Sequence, residues 1–156
     1  MTPEELAREA RAVEQDARRA LDGSQLMLPR EARVGTPVPV RALAGRLESW
    51  FVPVLAGDWL VAYLRFSPLR MLRASSSFMR HTGDMSECPL AADWLDVELI
   101  RERAEDCAHF DETAGEPMLS FDGAPDRLAW AVPLQRAGVT GRWLFVAGEA
   151  VWPALP

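Results

Sequence analysis

Two five-residue stretches decide how this chain reads: Trp50-Phe51-Val52-Pro53-Val54 and Trp130-Ala131-Val132-Pro133-Leu134. They share Trp-x-Val-Pro and lie 80 residues apart. Laid against itself at that offset, the chain aligns without a gap from Gly35 to Phe66. Identities fall at Gly35 and Gly115, Pro37 and Pro117, Ala44 and Ala124, Trp50 and Trp130, Val52 and Val132, Pro53 and Pro133, and Leu64 and Leu144. Gly, Pro and Trp are the residues whose backbone freedom or volume is hardest to replace, so these matches point to a tandem duplication.

Each half then reads as a helix followed by three strands. The first helix opens with Thr2 as N-cap, Pro3 at the first helical position and Glu5 at the capping-box position. Leu6, Ala10, Val13, Ala17 and Leu21 recur at helical spacing, and Gly23 marks a stop. The second helix is expected from Leu90 to Cys107, with Leu90, Trp94, Val97, Ala104 and Cys107 inward. After each helix comes Gly35-Thr36-Pro37 or Gly115-Glu116-Pro117, a short strand, the Trp-x-Val-Pro strand, and a hairpin turn at Ala56-Gly57-Asp58 or at 136–141. A proline within a strand lacks a ladder donor, so Pro53 and Pro133 imply the same edge or bulge twice. Trp50, Trp59, Trp130 and Trp143 are candidate core. Ser67-Pro68 reads as the start of a short helix through Arg80, with Leu69, Leu72 and Met79 inward. The fold class is therefore α+β: two pseudo-repeated units, each a helix plus a three-stranded antiparallel sheet, with the helices on one face. The halves are 1–80 and 81–156, expected to form one globule.

A helix and three strands with Gly-x-Pro leading into Trp-x-Val-Pro resembles the small PepSY-like modules, which are themselves similar to the propeptides of streptopain-type proteases. The resemblance covers 3–66 and 90–150 as two copies. It implies a non-catalytic domain that binds or inhibits other proteins.

Composition bounds the chemistry. The chain has 156 residues, 49% hydrophobic and 26% charged, an ordinary globular make-up. All 17 basic residues are Arg, so Schiff-base lysines, a Walker A lysine and Ser-Lys dyads are absent. The net charge of −6 disfavours nucleic acid, and no stretch of 18 apolar residues suggests a membrane span. With no apolar leader after Met1, the expected location is cytoplasmic, where Cys88 and Cys107 stay reduced.

Charge is unevenly spread. Residues 84–126 hold 13 acids against Arg101 and Arg103, while 59–83 hold Arg65, Arg70, Arg73 and Arg80 and no acid. Asp96, Glu98, Glu102, Glu105 and Asp106 on the second helix, with Arg70 and Arg73 before it, are the candidate binding residues. They suit a protein partner, a basic one for the acidic face.

His81, Cys88, Cys107 and His109 lie in one 29-residue window and carry the ligand types of a Cys2His2 zinc site. Their spacing, His-x6-Cys then Cys-x-His, contains neither Cys-x2-Cys nor His-x3-His. The expectation is no cofactor, with zinc on these four as the alternative. No nucleophile elbow surrounds Ser75, Ser76 or Ser77, and a Cys107–His81 pair lacks local support. The leading reading is a non-enzymatic protein-binding module of adaptor, immunity or chaperone type. A ligand or metal sensor using a cleft between the halves, and a hydrolase, are the alternatives.

Overall fold

Thr2 starts the first helix by accepting the Glu5 N–H at 3.1 Å, while the Glu5 carboxylate accepts the Thr2 N–H at 2.6 Å. This reciprocal cap satisfies two donors that the first turn leaves over. Helix α1 (Pro3–Asp22) follows. The computed structural model describes residues 1–81, 83–123 and 127–155; Ala124, one of the aligned identities, lies outside them. The chain divides into two units, Met1–Pro39 with Leu47–Ala91, and Val40–Arg46 with Ala92–Pro156.

The first unit holds α1 and the strands β1 (Arg33–Val34), β2 (Val38–Arg41), β3 (Leu47–Ala56), β4 (Trp59–Phe66) and β5 (Leu72–Ser77), although the end of β2 belongs with the second unit. These form a five-stranded antiparallel sheet ordered β1-β3-β4-β5, with β2 also on β3. Val13 and Ala17 of α1 are fully buried among Trp50, Val52, Leu64 and Phe66, and Leu6 and Ala10 pack at the margin. Burying an aliphatic side chain of this size stabilises the fold by roughly 1.5–3 kcal/mol. Elsewhere in the unit, Phe51 stacks on Tyr63 with ring centres 5.6 Å apart, and Tyr63 meets Phe78 at 5.8 Å.

The second unit holds α2 (Ala91–Leu95) from its second residue on, α3 (Val97–Glu105), β6 (Thr113–Ala114), β7 (Met118–Phe121), β8 (Leu128–Arg136), β9 (Val139–Ala147) and β10 (Ala150–Pro153). Its sheet is again five-stranded and antiparallel, ordered β10-β9-β8-β6 with β7 on β8. Helix α3 packs against β6, β8 and β9, with Ile100 and Ala104 buried. Ala129, Ala131 and Phe145 form a separate cluster with Trp143, Ala147, Trp152 and Ala154.

The structure thus shows α+β with two five-stranded sheets, not three-stranded ones, and the added strands have physical reasons. The stretch expected to be a helix through Arg80 is instead β5. Ser67 accepts the Arg70 N–H with its carbonyl and the Met71 N–H with its hydroxyl, turning the chain back along β4, and Leu69 and Leu72 are exposed rather than inward. Serines compete poorly for a helix and tolerate a strand edge, so Ser75-Ser76-Ser77 pairs with Leu64, Tyr63 and Ala62. The expected helix from Leu90 to Cys107 is broken at Asp96. There an extended backbone (ψ 97°) and a carboxylate accepting the Leu99 N–H at 3.2 Å cap a new helix. Leu90 stays outside both pieces, in a bridge with Trp59, and Cys107 lies beyond Glu105, exposed instead of inward.

The prolines sit neither on edge strands nor at the bulges. Pro53 faces Tyr63 within β3, which has neighbours on both sides. Its carbonyl accepts the Gly35 N–H at 2.8 Å, so its nitrogen points to the same side, where β1 and β2 are interrupted by Gly35-Thr36-Pro37. The missing donor falls at that gap. Pro133 faces Trp143 in β8 and accepts from Gly115 at 2.8 Å in the same manner. The bulges lie one residue further on, at Val54/Leu55 and Leu134/Gln135. The second hairpin turns on Ala137 (φ 51°) and Gly138 (φ 79°), the left-handed pair of a two-residue turn, so β9 begins at Val139, earlier than the expected turn allowed.

Candidate functional site

Helix α3 is the first feature with a functional aspect. Its buried side is small, Ile100 and Ala104, and its two cations are engaged within the second unit. Arg101 pairs with Glu98 and with Glu116. Arg103 reaches Asp93 at 2.7 Å and the Gly148 carbonyl at 2.7 Å, tying α3 to α2 and to the end of β9. Glu102, Glu105 and Asp106 are exposed, and among the described residues no ion pair engages them. Asp96 is occupied as the N-cap. The acidic residues therefore fall into two groups: Asp96 and Glu98 serve the helix itself, whereas the other three face solvent unneutralised. Arg70 and Arg73 lie in the first unit at the β4–β5 turn, both exposed, with Arg70 3.8 Å from Asp16.

The second feature follows α3. The turn from His109 to Glu112 closes on itself: Glu112 N–H donates to the His109 carbonyl at 3.0 Å, and His109 N–H donates to Glu112 Oε1 at 2.8 Å. Glu112 is buried and grips Arg142 through both oxygens, each at 2.9 Å. The Arg142 hydrogen bonds, reinforced by the His109 N–H, hold the Glu112 carboxyl down at about 2. With three donors filling its oxygens and its charge fixed, Glu112 works as a clamp and not as an acid or base. The clamp displays Phe110, which is completely exposed, between His109 and Asp111, and Asp111 pairs with Arg136 at 3.0 Å. Sequence reasoning missed Glu112, because its partner lies thirty residues away on β9.

A third feature is an open depression of about 460 Å³ in the second unit, lined by Leu43, Phe121, Asp122, Arg127, Phe145 and Trp152. Asp122 accepts Arg127 Nε at 2.7 Å, and its other oxygen, Oδ2, is buried with no hydrogen-bond partner among the described residues. The hydrogen bond to Asp122, and then the charge of that carboxylate, push the Arg127 guanidinium further up.

The four soft ligands divide between the two units. His81 is exposed and bridges to Asp84, and Cys88 is buried in the first unit, its thiol pushed up by burial and by Asp84 and Glu87. Cys107 and His109 are exposed in the second unit, with His109 Nδ1 3.3 Å from Glu112. Among the described residues no group of three or more His, Cys, Asp or Glu side chains is placed to hold a metal ion. Among them, too, no helix is long and apolar enough to cross a membrane.

No protein family, curated protein or solved structure matches this chain.

Proposed function

We propose that this chain is a non-enzymatic, cytoplasmic protein-binding module, built from two tandem copies of a PepSY-like helix-and-sheet unit with the helix on one face of each sheet, and that the second unit docks a basic protein through α3. Support for the duplication comes from register. Pairs Trp50/Phe66, Val52/Leu64 and Pro53/Tyr63 in the first sheet have counterparts 80 positions on at Trp130/Val146, Val132/Leu144 and Pro133/Trp143 in the second. The pairs Arg33/Leu55 and Thr113/Gln135 follow the same offset.

The observation that carries the docking function is the inward use of Arg101 and Arg103, which leaves Glu102, Glu105 and Asp106 exposed and unpaired among the described residues. Such a row speeds encounter with a cationic surface and sets specificity, while apolar anchors supply most of the affinity. Phe110, held out by the Glu112 clamp a few residues on, is suited to that second task.

Capture of partners from lysate at low and high salt tests this. A basic protein retained at low salt, released at high salt, and lost when Glu102→Gln, Glu105→Gln and Asp106→Asn are combined is the expected result. Retention indifferent to both changes overturns it, since exposed charges are screened beyond about 10 Å at 0.1 M salt.

A second reading, a small-ligand binder, is favoured by the depression beside Asp122, whose buried Oδ2 has no hydrogen-bond partner among the described residues and lies in a largely apolar setting.

A further inference from the structure

The exposed edges of the two sheets differ in how they are protected. Strand β10 ends at Pro153, which has no N–H to offer, β2 contains Pro39, and β7 is largely buried. Strand β5 has six residues, no proline, and is exposed at Leu72, Arg73 and Ser75. Phe78 N–H donates to the Val61 carbonyl at 2.8 Å, and Ser77 through Ala74 face Ala62 through Arg65 in order. Alternation along an antiparallel ladder then directs the N–H and C=O of Ser75 and Ser77 away from β4. The Ser77 hydroxyl donates to the Met27 carbonyl at 2.7 Å. At Ser75 no main-chain bond engages the outer groups among the described residues.

The approach to this edge is apolar and basic. The turn held by Ser67 presents Leu69, 84% exposed, then Arg70 and Met71, and Arg73 is the second residue of the strand. No acid occurs from Trp59 to Gly83. We propose that β5 takes up an extended acidic segment of a partner protein as an additional strand. Main-chain hydrogen bonds at Ser75 give the pairing, Arg73 receives the segment's carboxylates with Arg70, itself 3.8 Å from Asp16, beside it, and Leu69 and Met71 contact its apolar residues. This surface belongs to the first unit and stands whether or not α3 docks a basic protein.

The test uses the full chain and a short fluorescent peptide of alternating glutamate and valine. Binding is expected, with slower amide exchange at Ser75. The same peptide N-methylated at alternate residues, and a lysine-valine peptide, should bind roughly tenfold more weakly or worse. Ser75→Pro removes the outward donor and should weaken binding to the same degree, whereas Ser75→Ala keeps it. A melting curve establishes whether Ser75→Pro folds; if it does not, the N-methylated peptide and the exchange at Ser75 decide on the unaltered protein. Equal binding of the N-methylated peptide, or of the lysine-valine peptide, overturns the proposal. So does a concentration-dependent dimer abolished by Ser75→Pro in a protein that ignores the acidic peptide, which would assign the edge to a second copy of this chain.

Discussion

Gly115 donates its N–H to the Pro133 carbonyl at 2.8 Å, and a Cβ placed on it would lie 2.9 Å from Cγ of the same proline. Backbone and ring approach so closely there that a side chain has no room. Gly35 stands to Pro53 in the same way, with the added Cβ 3.0 Å from Cγ. Neither glycine has a positive φ, so the requirement is steric and not conformational.

Gly115→Ala and Gly35→Ala should therefore each destabilise the protein by about 1–3 kcal/mol, the usual penalty for forcing extra atoms into packed surroundings. Gly141→Ala is the control, since a Cβ there meets nothing within 4 Å. It should be neutral or slightly stabilising, because alanine restricts the unfolded chain. Urea denaturation of the three variants checks the contrast, and equal losses at all three positions would contradict it.

Glu112 makes stability depend on acid. Its folded pKa, lowered by Arg142 and the His109 N–H to about 2, lies below the ordinary glutamate value near 4.3. A depressed pKa contributes stability that is fully present above the unfolded value and is lost as pH falls through the folded one. The stability gap between the protein and its Glu112→Gln variant should stay level from neutral pH down to about 5 and then narrow toward pH 2. Denaturation curves across that range decide it, and a gap that widens on acidification would contradict the clamp.

Trp50 and Trp130 differ in one bond. Trp130 Nε1 donates to the Trp94 carbonyl at 2.8 Å, whereas Trp50 Nε1 is buried with no partner among the described residues. Replacing either by Phe removes volume, but only the change at 130 also breaks a hydrogen bond. Trp130→Phe should cost more than Trp50→Phe by about 1 kcal/mol, measurable by chemical denaturation.

The two thiols should separate kinetically. Cys107 is exposed, and Cys88 is buried with its thiol shifted toward the protonated form by burial and neighbouring carboxylates. A thiol reagent should label one cysteine per chain promptly and the second on unfolding. Prompt labelling of both would show the Cys88 surroundings to be open.

What could be read directly was local. The Thr2 and Glu5 cap lies within one turn of helix, Gly57-Asp58 joins two strands that touch at once, and the spacing of Val13 and Ala17 already states which side of α1 is buried. The break at Asp96 was also written locally, as an aspartate inside a helical pattern, but helical periodicity on either side outweighed it.

The chain's own order of residues determined the two Trp-x-Val-Pro strands, the first hairpin turn and the first helix, because caps, turns and alternation act between residues a few positions apart. Tertiary structure decided the rest. Strand β5 exists because β4 had an open edge for Ser75-Ser76-Ser77 to pair with, and Glu112 became a clamp because Arg142 arrived from β9. Contacts across such distances depend on where the sheet brings the strands, a property that no short stretch of residues carries.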